Sequence, residues 1–122
     1  MIKVAAAACA AFSLLVVGPA FAQEADAAKV ERGKQVYQYW CATCHGAGIG
    51  ANGVQYLPGT NALRAKYKGE KPALLEERTD LTPELVKFFV RNGVSIMPQF
   101  RKVEVDDADL DAIAAYLARN NK

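Results

Sequence analysis

The sequence predicts an all-α fold. Apolar residues recur at three- and four-residue steps through residues 28–40, a shorter segment at 61–68 repeats the pattern, and two later segments open with helix caps at Thr82 and Asp106. At 122 residues, 52% hydrophobic and 23% charged, the chain has room for one domain of ordinary globular balance.

The chain opens with Met1, Ile2 and Lys3, continues through an apolar run at 4–17, and reaches Ala20-Phe21-Ala22 ahead of Gln23. A positive start, an apolar stretch and a small-x-small site predict a cleaved secretory signal peptide, residues 1–22, and a domain at 23–122. The apolar stretch is short for a membrane span and ends in Gly18-Pro19, so no membrane anchor is expected. Cys9 leaves with the leader. Two of the three cysteines and the single histidine remain. Losing Lys3 turns fifteen basic residues into fourteen against thirteen acidic ones, a net of +1 that gives no support for nucleic-acid binding.

Residues 24–29 are polar and expected to fray. From 28 to 40, Val30, Gly33, Val36, Tyr37 and Trp40 form one stripe while Glu31, Arg32, Lys34 and Gln38 face water. Gly33 costs about 1 kcal/mol against alanine in a helix interior, which suggests that another backbone passes close by.

The helix leads into Cys41-Ala42-Thr43-Cys44-His45, a C-x-x-C-H motif that reads as the attachment site of one covalently bound haem c. Cysteines three apart lie on one helical face and can each close a thioether to the same porphyrin, and His45 then carries a neutral imidazole to the iron. A redox dithiol would sit in a βαβ pattern, and a structural zinc site would need two further ligands; neither set of parts is present. Thioether attachment in bacteria takes place outside the cytoplasm, so leader and motif both point to the periplasm. A mature chain of about 100 residues is small for a self-sufficient core, and a large apolar cofactor would supply much of what it buries.

Glycines at 46, 48, 50 and 53 are expected to turn the backbone closely without regular structure; no strand before them and no Lys-Ser or Lys-Thr after them fits a phosphate loop. Thirteen residues beyond His45, the Pro58 carbonyl is the expected acceptor for the second imidazole N–H. The segment 61–68 carries Leu63 and Tyr67 inward and Arg64, Lys66 and Lys68 outward, which with Lys71 form a solvated basic face. A turn opens at Pro72 and runs to Arg78. Thr82-Pro83-Glu84 then starts a helix that Asn92-Gly93 ends, and its run of Leu85, Val86, Phe88, Phe89 and Val90, apolar almost all round, predicts a buried helix whose aromatics line the haem pocket.

Met97-Pro98 follows in a non-helical stretch, 94–100. A lone methionine is more often core filler, but Met97 is the only one after Met1, no second histidine exists, and a thioether suits iron in both oxidation states. His45 and Met97 are therefore the expected iron ligands. The last helix starts at a capping pattern of Asp106 and Asp109 with Val105 and Leu110 as a hydrophobic staple, and its stripe of Leu110, Ile113, Ala114 and Leu117 is expected to meet the first helix at Gly33. Charge at a helix N-terminus accounts for most of the acidic run Glu104, Asp106, Asp107, Asp109 and Asp111.

Gly33 to Tyr37, the Cys41 to His45 motif, Pro58, Met97-Pro98 and the closing amphipathic helix together resemble the class I cytochromes c over nearly all of 23–122. The resemblance implies terminal helices crossing around one covalently bound haem c, with Cys41, Cys44, His45, Pro58 and Met97 at the cofactor and His45 and Met97 on the metal. Val90-Arg91-Asn92-Gly93 followed by Met97-Pro98-Gln99-Phe100 is further similar to the cytochrome subunits of p-cresol methylhydroxylase-type flavocytochromes, which oxidise 4-alkylphenols, eugenol among them. The stretch between Pro58 and Leu81 is longer than in that form. This likeness implies electron transfer rather than catalysis, with a flavoprotein dehydrogenase subunit as donor and a downstream redox protein as acceptor. A freely diffusing soluble carrier is the alternative, and a gas-binding haem sensor with an open iron site is the third reading.

Overall fold

The computed structural model describes residues 19–121. Most of the predicted signal peptide, with Cys9, lies outside these residues. Five α-helices follow in order: α1 (Pro19–Trp40), α2 (Ala42–His45), α3 (Pro58–Tyr67), α4 (Pro83–Asn92) and α5 (Asp107–Ala118). Single 3₁₀ turns occur at Ala51–Gly53, inside the glycine segment expected to be irregular, and at Leu75–Glu77, inside the turn predicted from Pro72 to Arg78. The described residues contain no strand beyond one isolated bridge, Val94 to Met97, and no helix long and apolar enough to cross a membrane. The fold is all-α, as predicted.

Helix α1 corrects the expected fraying of residues 24–29. These residues are exposed and helical, so no packing holds them there. Ala25, Ala27 and Ala28 among Glu24 and Lys29 are strong helix formers, and intrinsic propensity carries the helix past the point where the apolar stripe begins.

The two terminal helices cross where Gly33 was expected to permit it. A Cβ at Gly33 would lie 2.0 Å from the Ala112 carbonyl oxygen and 2.9 Å from Tyr116 Cβ, so no other residue fits. Tyr37, fully buried one turn on, packs its ring 5.6 Å from that of Tyr116. Val36, Val105, Leu110, Ile113, Ala114 and Leu117 complete the core with Val86 and Val90 of α4. Asp106 caps α5 by accepting from the Asp109 N–H at 2.7 Å, and Val105 and Leu110 are both buried as the staple requires. The acidic run does more than balance the helix dipole: Asp109 pairs with Arg32, Asp111 with Lys87, Asp107 with Arg91 and Lys102, and Glu104 with Arg101.

Helix α4 is not buried all round. Thr82 caps it, accepting from the Leu85 N–H at 3.2 Å, and Gly93 ends it at φ 66°, as expected. Only Val86 and Val90 face the core, while Leu85 and Phe88 are exposed, Phe88 by 58%. Val86 and Val90 join the core cluster with α5, and Leu85 and Phe88 lie outside it.

Arg78 is buried, with 4% of its side chain exposed, and it donates to both Asp80 carboxylate oxygens at 2.6 and 2.8 Å while lying 4.7 Å over the Tyr67 ring. Asp80 also receives Lys71, so the expected solvated face includes one lysine held in an ion pair. Asn120 and Asn121 bond the Glu76 and Leu81 carbonyls and tie the chain end to this segment.

Candidate functional site

The cysteine-histidine motif continues α1 by one further turn. Cys41 N–H donates to the Tyr37 carbonyl at 2.8 Å, and Cys44 and His45 N–H groups both return to the Cys41 carbonyl at 3.1 and 2.9 Å. Cys41 and Cys44 therefore sit one turn apart as free thiols, the first half-buried and the second exposed. Burial pushes the Cys41 thiol up to about 12, so it is neutral at physiological pH.

Two side chains hold the carbonyls that end α2. Tyr37 donates its hydroxyl to the His45 carbonyl at 3.1 Å, and Thr60 donates to the Gly46 carbonyl at 3.1 Å. A short helix leaves its last carbonyls without partners, and these two bonds satisfy them from α1 and α3. Thr60 and Gly59 escaped the sequence reading, although both directly follow the proline it singled out.

Gly59 forms the wall behind His45. A Cβ there would lie 2.7 Å from His45 Cε1, 2.8 Å from Nδ1 and 2.9 Å from the Cys44 carbonyl, so glycine is what lets α3 approach the imidazole. Burial lowers the His45 pKa and keeps the ring neutral. The expected bond from His45 to the Pro58 carbonyl is not formed: Nδ1 is buried without a partner. Pro58 is the first residue of α3, whose geometry aims its carbonyl along the helix axis rather than sideways at the ring.

Met97 sits on the segment after α4. Val94 and Met97 exchange main-chain bonds of 3.1 and 2.9 Å, which closes a tight turn with Ser95 at φ 55°. Gly93 makes the turn possible, since a Cβ there would meet the Met97 carbonyl at 2.6 Å. The Phe100 N–H returns to the Val90 carbonyl at 2.8 Å. Cys41, Met97 and Phe100 all pack against the one core cluster, and the Trp40 ring lies 6.0 Å from that of Phe100. The residue before Cys41 thus touches the residue three past Met97, which brings the two predicted segments together.

This donor set fits a haem. Two free thiols lie one turn apart, beside a neutral imidazole whose buried Nδ1 still needs an acceptor, as a histidine bound to metal through Nε2 would. Apolar side chains near the motif (Ile49, Val54), on α4 (Leu85, Phe88) and around Met97 (Val94, Ile96) are exposed, Ile96 by 80%, and offer surface that a flat apolar ring could cover.

Residues 28–117 match the family model described as cytochrome C oxidase, cbb3-type, subunit III. The chain is 32% identical over 111 residues to cytochrome c6 of Pyropia yezoensis, covering 91% of this chain and 88% of that protein. It is 31% identical over 112 residues to cytochrome c6 of Porphyra purpurea, with 92% and 89% covered. It is 35% identical over 102 residues to the cbb3-type cytochrome c oxidase subunit CcoP of Azospirillum sp. (strain B510), covering 76% of this chain and 29% of that much longer protein.

Proposed function

From the premise that the chain belongs to the cytochrome c family, carries one covalently attached haem c and transfers electrons rather than catalysing a reaction, we propose that Cys41 and Cys44 form the two thioethers and that His45 and Met97 are the axial ligands. The contact of Trp40 with Phe100, which draws the Met97 segment to the motif, is the observation that carries this assignment. Haem c supplies a one-electron iron couple. His45 supplies a neutral imidazole lone pair, kept neutral by burial and backed by Gly59. Met97 supplies a soft thioether on a closed turn. Holding the iron through both His45 and Met97, the chain would keep dioxygen and substrates off it and would offer the same two donors to both oxidation states.

The electron donor in this reading is a flavin-dependent dehydrogenase acting on 4-alkylphenols, with the chain as its haem subunit and a downstream redox protein as acceptor. The segments 90–93 and 97–100 support it. The second reading, a freely diffusing carrier, is favoured by the two cytochrome c6 relatives, which this chain matches over most of their length. Residues 1–22 act as the secretory leader, and the mature protein works in the periplasm.

Affinity capture of the natively expressed chain, followed by flavin analysis of what is retained, tests the choice. A stoichiometric flavoprotein supports the subunit, and a chain that runs alone as a monomer supports the carrier. Carbon monoxide binding by the reduced protein at neutral pH would overturn both in favour of an open-site sensor.

A further inference from the structure

We propose that Arg91 is a positioning residue that locks the Met97 segment in place, an inference that rests on Met97 being an axial ligand. Its guanidinium is a three-way clamp: Nη1 donates to the Phe100 carbonyl at 2.9 Å and to the Val105 carbonyl at 2.8 Å, and Nη2 donates to Asp107 Oδ1 at 2.9 Å. Arg91 stands in the last turn of α4, whose buried Val86 and Val90 fix that helix on the core. The clamp therefore reaches from a rigid element across an irregular one. Among the described residues, neither carbonyl has another hydrogen-bond donor, so at both ends of residues 100–105 Arg91 is the side chain that ties the main-chain oxygen to α4.

Both ends of the methionine segment are thereby held by α4. Residue 93 at its start is a glycine that no other residue can replace without meeting the Met97 carbonyl, and Phe100 at its far end is bound twice, by its N–H to Val90 and by its carbonyl to Arg91. An iron–thioether bond is weak and competes with added ligands whenever its segment swings away. A clamp that keeps the segment from swinging sets how often the position opens. The geometry calls for arginine: a lysine ammonium is a compact charge and cannot reproduce a fork across two carbonyls and a carboxylate.

Cyanide binding to the ferric holoprotein is the measurement, because cyanide enters only as fast as the thioether leaves. Arg91→Gln is expected to speed cyanide binding on the order of tenfold, since a hydrogen bond from a charged donor to each of two carbonyls is lost. Arg91→Lys should fall between it and the unmutated protein, and keeps the test open if Arg91→Gln fails to fold. Asp107→Asn, which leaves both carbonyl bonds in place, should stay within about twofold. Leu117→Ala removes buried packing from the far end of α5 without touching α4 or the clamp, and should lower Tm while leaving the cyanide rate unchanged. The proposal is overturned if both Arg91 variants bind cyanide at the unmutated rate, or if Leu117→Ala speeds binding as much as Arg91→Gln does. Should the unmutated ferric protein lack the weak far-red band of thioether-ligated haem, the assignment of Met97 fails and takes the proposal with it, a result seen before any Arg91 variant is made.

Discussion

The Tyr37 hydroxyl lies 3.1 Å from the carbonyl oxygen of His45 and donates to it, joining the most buried aromatic of the domain to the backbone of the motif histidine. Both helices that meet at α2 therefore act on one residue, α1 through this bond and α3 through Gly59 against the ring.

Replacing Tyr37 by phenylalanine removes the hydroxyl and keeps the ring against Tyr116. The loss should be about 1 kcal/mol, seen as a lower Tm by differential scanning calorimetry, with haem content unaltered. A variant as stable as the parent would mean that the bond contributes nothing net.

Gly33→Ala should be far more damaging. Its Cβ would stand 2.0 Å from the Ala112 carbonyl, so α1 and α5 must separate. We expect a loss of about 3 kcal/mol or more in denaturant unfolding, as for severe overpacking.

Met97→Ala is expected to leave haem covalently attached, convert the spectrum to high-spin and lower the reduction potential, because a thioether favours the ferrous state. An unchanged spectrum would show that another group holds that position. Replacing Cys41 and Cys44 together should abolish covalent haem, read as intact mass after acid–acetone extraction.

Arg78 and Lys71 hold the Asp80 carboxyl well below its usual value of 3.8, through hydrogen bonds from Arg78 first and Lys71 second. The folded state thus binds the Asp80 proton less readily than the unfolded chain. Its contribution is complete above the unfolded value and is lost as pH falls through the lower folded one. Asp80→Asn should flatten the acid limb of the stability profile below pH ~4 and cost about 2 kcal/mol at neutral pH. The cost arises because Arg78 stays buried without its counter-ion, and the partial exposure of Asp80 keeps it below that of a fully buried pair. Urea midpoints across pH 3 to 7, with roughly that spacing, would resolve the difference.

What the sequence made legible were the features whose cause is local. The Thr82 and Asp106 caps and the staple of Val105 with Leu110 follow from residues close to one another in the chain, and each is present. Gly33 is the exception, legible by its cost in a helix interior although the backbone that demands it, at Ala112, is remote. Features decided by a distant partner were otherwise not legible. Val86 and Val90 are the α4 residues that join the core, His45 Nδ1 is buried without the Pro58 carbonyl as partner, and Thr60 and Arg91 act on main-chain oxygens that no pattern of side chains reveals. The start of α1 was missed for the opposite reason, since alanine-rich propensity needs no partner and leaves no apolar stripe.

The bidentate pair of Arg32 with Asp109 spans 77 residues of chain, and the Gly33 crossing joins segments just as remote. A polypeptide that emerges amino end first therefore exposes α1 for the whole of its passage with nothing to dock against. Native topology can close only after α5 has arrived, so α1 waits unpartnered through the synthesis of every element between the two.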